Sequence, residues 1–189
     1  MNMEKWPTNE EAQKILEGWV INENLRKHAY AVKAAMEAYA RKFNEDVEKW
    51  GVVGLLHDFD YEKYPDLIDH PFKGIEYLKE KEYSEELIEA ILAHAEHTGR
   101  ARDTNLKKAI FAVDELTGLI VAVALTRPTK KIADVEVKSV KKKWKEKAFA
   151  AGVNRKIIEQ GAEELGVQLE EHIDIVLKAM QGIPEKLGL

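Results

Sequence analysis

The chain has 189 residues, a length that suits one domain, or one domain carrying a helical extension. It contains no cysteine, which excludes disulfides, thiolate nucleophiles, zinc ribbons and iron–sulfur clusters, so any metal must be held by His, Asp and Glu. A formal net charge of −5 gives no reason to expect binding to a nucleic-acid polymer, no apolar run approaches the ~20 residues of a membrane span, and Met1 to Pro7 lack the basic and apolar start of a signal peptide, so a cytoplasmic protein with no membrane partner is expected.

Taken in chain order, the sequence predicts helices throughout. Thr8 and Glu11 form a capping-box pattern that should open a helix running to about Val20. Asn22 or Asn24 opens the next, whose apolar residues Leu25, Ala29, Val32, Met36, Tyr39 and Phe43 recur at helical spacing. A third helix is expected from Glu45 to Asp58. Phe59 to Pro71, with two prolines and several acidic residues, reads as a loop. Pro71 can occupy the first position of a helix carrying Ile75 and Leu78. Ser84 caps another, expected to reach about His97. A long helix should span Asn105 to Leu125, ended by Arg127-Pro128. Three more are expected near 129–149, 154–165 and 168–181, with Gly152 and Gly166 as stops. Leu119 to Leu125 is rich in strand formers, but it continues a helical pattern and is read as helix.

Polar residues fall where the periodicity demands apolar ones. His28 lies three residues after Leu25 and four before Val32, on the apolar face. His57 follows Val53 by four, His94 follows Ile91 by three, and Asp114 follows Phe111 by three. A carboxylate aimed into an apolar face needs a partner charge or a metal. A single inward histidine is commonly a hydrogen-bonded core residue, but one ion would satisfy all of these groups at once, as metals do in helical bundles. His57-Asp58 sits where the hydrophobic stretch Val52-Val53-Gly54-Leu55-Leu56 meets the polar loop. Adjacent helical positions point ~100° apart, so two neighbours converge on one ion only where the helix ends.

The order His28, then Gly54-Leu55-Leu56-His57-Asp58, then Ala112-Val113-Asp114-Glu115-Leu116 resembles the HD-domain superfamily of metal-dependent phosphohydrolases. The resemblance covers roughly residues 20 to 125. It implies an all-α fold, an HD-domain helical bundle with a C-terminal helical extension at about 129–181, and a metal held by His28, His57, Asp58 and Asp114. His70-Pro71-Phe72-Lys73-Gly74 and Ala90-Ile91-Leu92-Ala93-His94 look like the additional histidine segments of dinuclear HD proteins. By that resemblance Asp58 bridges two metals and His70 and His94 hold the second. The Gly-Tyr-Pro word of cyclic-dinucleotide-cleaving relatives does not follow His94, where the text is Ala95-Glu96-His97-Thr98-Gly99, so that substrate is not carried over. His97 could reach the same pocket or be a solvated helix end; His172 receives no role.

The resemblance implies a phosphohydrolase or phosphodiesterase acting on a small phosphate ester or nucleotide by metal-activated water. The ligand set suits one or two divalent transition metals, Mn, Fe, Ni, Co or Zn. Asp58 would be catalytic through the metals, and Asp60, Glu62 or Glu96 could supply general acid or base. From Arg127 to Lys147 nine Lys or Arg stand against three Asp or Glu. Arg127, Lys130, Lys131, Lys141 and Lys142 are therefore candidates for a phosphate clamp, with a solvated basic face as the plainer reading, and Trp144 could stack on a base or be core. Two other functions fit the same residues: a mixed-valent di-iron oxygenase, as in the inositol oxygenases, and a non-catalytic module that retains a metal. The C-terminal helices could cover the site or form a homodimer interface.

Overall fold

The computed structural model describes residues 5–146 and 148–189. Among them there is no strand, and ten α-helices account for the architecture: α1 (Asn9–Trp19), α2 (Glu23–Phe43), α3 (Val47–Leu56), α4 (Phe72–Glu80), α5 (Glu85–Leu92), α6 (Asn105–Leu125), α7 (Val137–Trp144), α8 (Arg155–Glu164), α9 (Leu169–Gln181) and α10 (Pro184–Leu187). Among the described residues no helix is long and apolar enough to cross a membrane.

Several boundaries follow from side chains that satisfy the first amides of a helix. The Thr8 hydroxyl accepts from the Glu11 amide, and the Glu11 carboxylate accepts from the Thr8 amide. Asn22, Asp46, Ser84, Thr104 and Asn154 cap α2, α3, α5, α6 and α8 in the same way. Each such cap is worth about 1 kcal/mol. Asn44 ends α2 in the left-handed conformation at φ 57°.

Helices α2 and α6, each 21 residues, form the centre. α3 packs along α2, α6 crosses against both, and α8 and α9 close over α6 and α2. Val32, Met36, Leu55, Leu56, Ile110 and Leu116 are buried at their junction, each worth ~1.5–3 kcal/mol. Two glycines permit the close approaches. A Cβ on Gly54 would lie 2.8 Å from Lys33 Cα of α2, and one on Gly161 would lie 2.5 Å from Ala112 Cα of α6. α9 is tied across both central helices by His172, which is fully buried. The Tyr39 hydroxyl donates to its Nδ1 at 2.6 Å, and its Nε2–H donates to Ala112 O at 2.9 Å. Burial, against a smaller opposing effect of Ala112, lowers its pKa to about 4.

The structure departs from expectation in four places. α3 is shorter than Glu45 to Asp58, beginning after the Asp46 cap and ending at Leu56. α5 stops at Leu92 rather than near His97, because its terminal carbonyls find other donors: His94 Nδ1 bonds Ile91 O and the Thr98 hydroxyl bonds Leu92 O. The segment 129–136 is not part of a long helix. Its carbonyls are taken by side chains, Asp134 O by the Arg127 guanidinium and Ile132 O and Val135 O by Gln181, and a helix begins only at Val137. The reading of Lys147 in the basic stretch lies outside the described residues. Finally, α10 was not expected; Pro184 opens it.

Candidate metal centre

Helix ends and helix faces bring six side chains together. His28 comes from the inner face of α2, and Asp114 from the middle of α6. His57 is the residue that ends α3, with Asp58 immediately after it, where the backbone leaves the helix. His70 closes the turn-rich loop before α4, and His94 lies just past the end of α5.

The six form two clusters. His28, His57 and Asp114 present ligand atoms that lie within 4.8 Å of one another, and so do Asp58, His70 and His94. In the first, His28 Nε2 is 3.0 Å from Asp114 Oδ1 and 3.2 Å from His57 Nε2. In the second, His70 Nε2 and His94 Nε2 each lie 3.2 Å from Asp58 Oδ1 and 3.3 Å from each other. Asp58 joins them, because its other oxygen, Oδ2, is 3.5 Å from His57 Nε2 and 3.9 Å from His28 Nε2.

The donor set fits a cation. His57 Nδ1 bonds Gly54 O at 2.8 Å and His94 Nδ1 bonds Ile91 O at 2.6 Å. Carbonyls only accept, so those nitrogens carry the protons and each Nε2 is left to offer a lone pair inward. His28 Nδ1 has the Thr117 hydroxyl at 3.4 Å, and that hydroxyl itself donates to Asp114 O. His70 Nδ1 donates to Asp60 and His94 Nδ1 to Ile91 O, so their unprotonated Nε2 atoms face each other at 3.3 Å and need positive charge between or upon them. Burial disfavours charge on His57, but Asp58 and Asp114 outweigh it and raise its pKa to about 9. Burial likewise opposes charge on His70, and Asp58 and Asp60 raise it to about 9. Burial would push both Asp58 and Asp114 up; His57 with His70 and His94 hold Asp58 well below the usual carboxylate range, and His57 with His28 do the same for Asp114. The electrostatics of these residues call for cations between them.

Asp60 takes a different position from the general acid or base expected of it. It is 1 % exposed. Its Oδ1 accepts from His70 Nδ1 at 2.7 Å, and its Oδ2 accepts the Gly74 amide at 2.8 Å in the first turn of α4. Pro71 offers α4 no side-chain cap, so Asp60 caps that helix from another element while fixing the ring of His70. Glu62 is also elsewhere: its Oε2 accepts the amides of Ile21 and Asn22 at the start of α2. Glu96 does line the cavity. His97 is exposed and bonds His70 O through Nε2 at 2.8 Å, so it braces the His70 backbone.

The basic residues do not reach this centre. Arg127 lies beyond the end of α6, more than ~16 Å along the helix axis from Asp114 at ~1.5 Å rise per residue, and its guanidinium is spent on Asp134 O. Lys130 and Lys131 are exposed in the turn that follows. Lys141 pairs with Glu170 at 2.5 Å, and Lys141 and Lys142 rim a separate groove with Trp144 between α7 and α9. Trp144 donates to Glu159 instead of facing the metal centre. The clamp expected from these residues is therefore absent from the centre.

The cavity over the clusters has a volume of about 590 Å³. Five of the six residues, all but the fully buried His57, line it, and it is further walled by Tyr61, Leu67, His97, Phe111, Val153 and Ile157, with Glu96 and Glu115 as its other carboxylates. Glu115 was missed in the sequence. Burial raises its pKa, as does the charge of Asp114, while the Asn154 amide that it accepts opposes the rise. Its place next to Asp114 was the available signal. Val153 and Ile157 carry no sequence signal, since only the packing of α8 on α6 brings them there.

Comparison with curated proteins and with solved structures gives no significant match. The family model of the HD domain matches residues 25–119, half of the chain, and takes in all six clustered residues. The chain belongs to the HD domain family.

Proposed function

We propose that this protein is a metal-dependent phosphohydrolase acting on a small phosphate ester. The observation that carries the reading is Asp58, whose two oxygens face two different His clusters, so that one carboxylate can serve two cations. His28, His57, Asp58 and Asp114 would hold the first, and Asp58, His70 and His94 the second. When bound, such metals acidify water and neutralise the phosphoryl oxygens. Gly54 O, Ile91 O and Asp60 keep three imidazoles in the tautomer and orientation that ligation needs. Glu96 and Glu115, in the cavity wall, can hold a proton for a leaving alkoxide or take one from water. Hydrolysis of a panel of monoesters, read as phosphate release, and of diesters, read as release of the alcohol, by protein loaded in turn with Mn, Fe, Ni, Co and Zn and assayed with and without oxygen, tests the reading. Oxygen-independent ester hydrolysis supports it. Turnover only with reduced iron and oxygen would move the protein to the oxygenases.

A further inference from the structure

The cavity wall bears on which ester is taken, a question that rests on the hydrolase reading. Among the described residues that line the cavity, none is Lys or Arg, and the polar groups beyond the two clusters are the Tyr61 hydroxyl, His97, whose Nε2–H donates to His70 O, and the carboxylates of Glu96 and Glu115. Behind the wall, Arg102 is already neutralised: it stacks 3.7 Å from the Phe111 ring centroid and is held by Glu164 through two bonds of 2.7 and 2.8 Å. The remaining wall is apolar. Tyr61 and Leu67 come from the turn-rich loop, Phe111 from α6, and Val153 and Ile157 from outside the segment matched by the family. Leu67 is 62 % exposed and Tyr61 39 % exposed, so the apolar surface continues outward to the mouth.

With two carboxylates and no Lys or Arg in the wall, the main positive charge that meets the substrate comes from the metals, and those answer one phosphoryl group. A second anionic group on the leaving portion would face Glu96, Glu115 and hydrocarbon with no Lys or Arg to offset it. We infer that the substrate is a monophosphate ester of an uncharged, largely apolar or aromatic alcohol, and that the cavity rejects polyphosphates and esters whose leaving group carries a further negative charge. The part of the chain beyond the family segment contributes to this choice through Val153 and Ile157.

The test compares two probes that differ by one charge. Binding of phenylphosphonate and of 4-phosphonobenzoate to the metal-loaded full chain is measured by calorimetry, alongside hydrolysis of phenyl phosphate and 4-carboxyphenyl phosphate. The unsubstituted probe should bind at least about tenfold tighter. Val153→Lys, and separately Glu96→Gln, should narrow that ratio several-fold. Equal or tighter binding of 4-phosphonobenzoate, or binding of neither, overturns the inference. If both esters resist hydrolysis while the binding preference and its response to Val153→Lys hold, the hydrolase reading fails and the assignment of the cavity's ligand stands.

Discussion

Replacing Asp60 by Asn separates a positioning carboxylate from a catalytic one. Asp60 is buried, and both its oxygens accept from protein donors, His70 Nδ1 at 2.7 Å and the Gly74 amide at 2.8 Å. An amide has one accepting oxygen and one donating nitrogen, so in Asp60→Asn one of the two donors meets an N–H instead of a lone pair. A buried hydrogen bond to a charged group is worth about 1.5–3 kcal/mol, and the donor left behind adds its desolvation cost. The variant should therefore lose about 2–3 kcal/mol of stability in guanidinium unfolding of the metal-free protein. The ring of His70 also loses its orienting partner, so the metal shared by Asp58, His70 and His94 should bind ~10–100-fold more weakly, read by calorimetric titration with Mn. If Asp60→Asn unfolds and binds metal like the wild type and loses activity alone, Asp60 is a general acid or base and the positioning account is refuted.

Asp58→Ala should lose metal from both clusters, since it removes an oxygen from each; elemental analysis would show this, and full occupancy would contradict it. Gly161→Ala should cost several kcal/mol, because its Cβ would lie 2.5 Å from Ala112 Cα and force α8 away from α6, as a thermal scan would reveal. The lowered pKa of His172 favours the neutral ring in the folded state, so its contribution is complete above pH 6.5 and is lost as pH falls from 6.5 to about 4. That interval corresponds to about 3 kcal/mol. His172→Gln should show a drop in stability between pH 6.5 and 4 smaller by about that amount, whatever its stability at neutral pH; an unchanged drop would show that His172 does not titrate with unfolding.

What the sequence revealed was whatever local chemistry decides. Thr8, Asn22 and Ser84 mark helix starts because a short polar side chain answers the first amides of its own helix. His28, His57 and Asp114 were visible as polar residues on apolar faces, and the end of α3 explained how His57 and Asp58 could converge. The rest depended on partners distant along the chain. Nothing near Asp60 signals that its oxygens are spent on His70 and on α4. Charge alone could not say that Arg127 turns back to Asp134 or that Lys141 pairs with Glu170. The end of α5 was misjudged because His94 and Thr98 take the last carbonyls of the helix, a competition that apolar periodicity does not register. His172 looked unremarkable among its acidic neighbours, yet it fastens α9 to the helices that carry His28 and Asp114.

The central claim is that Asp58 joins two metal sites, and metal content per chain tests it most directly. Protein purified without chelators or a histidine tag, and again after reconstitution with Mn, Fe or Ni, should carry about two metals per chain by elemental mass spectrometry. Asp58→Ala should carry none, and His94→Ala about one. No metal in the wild-type chain after reconstitution would contradict the account.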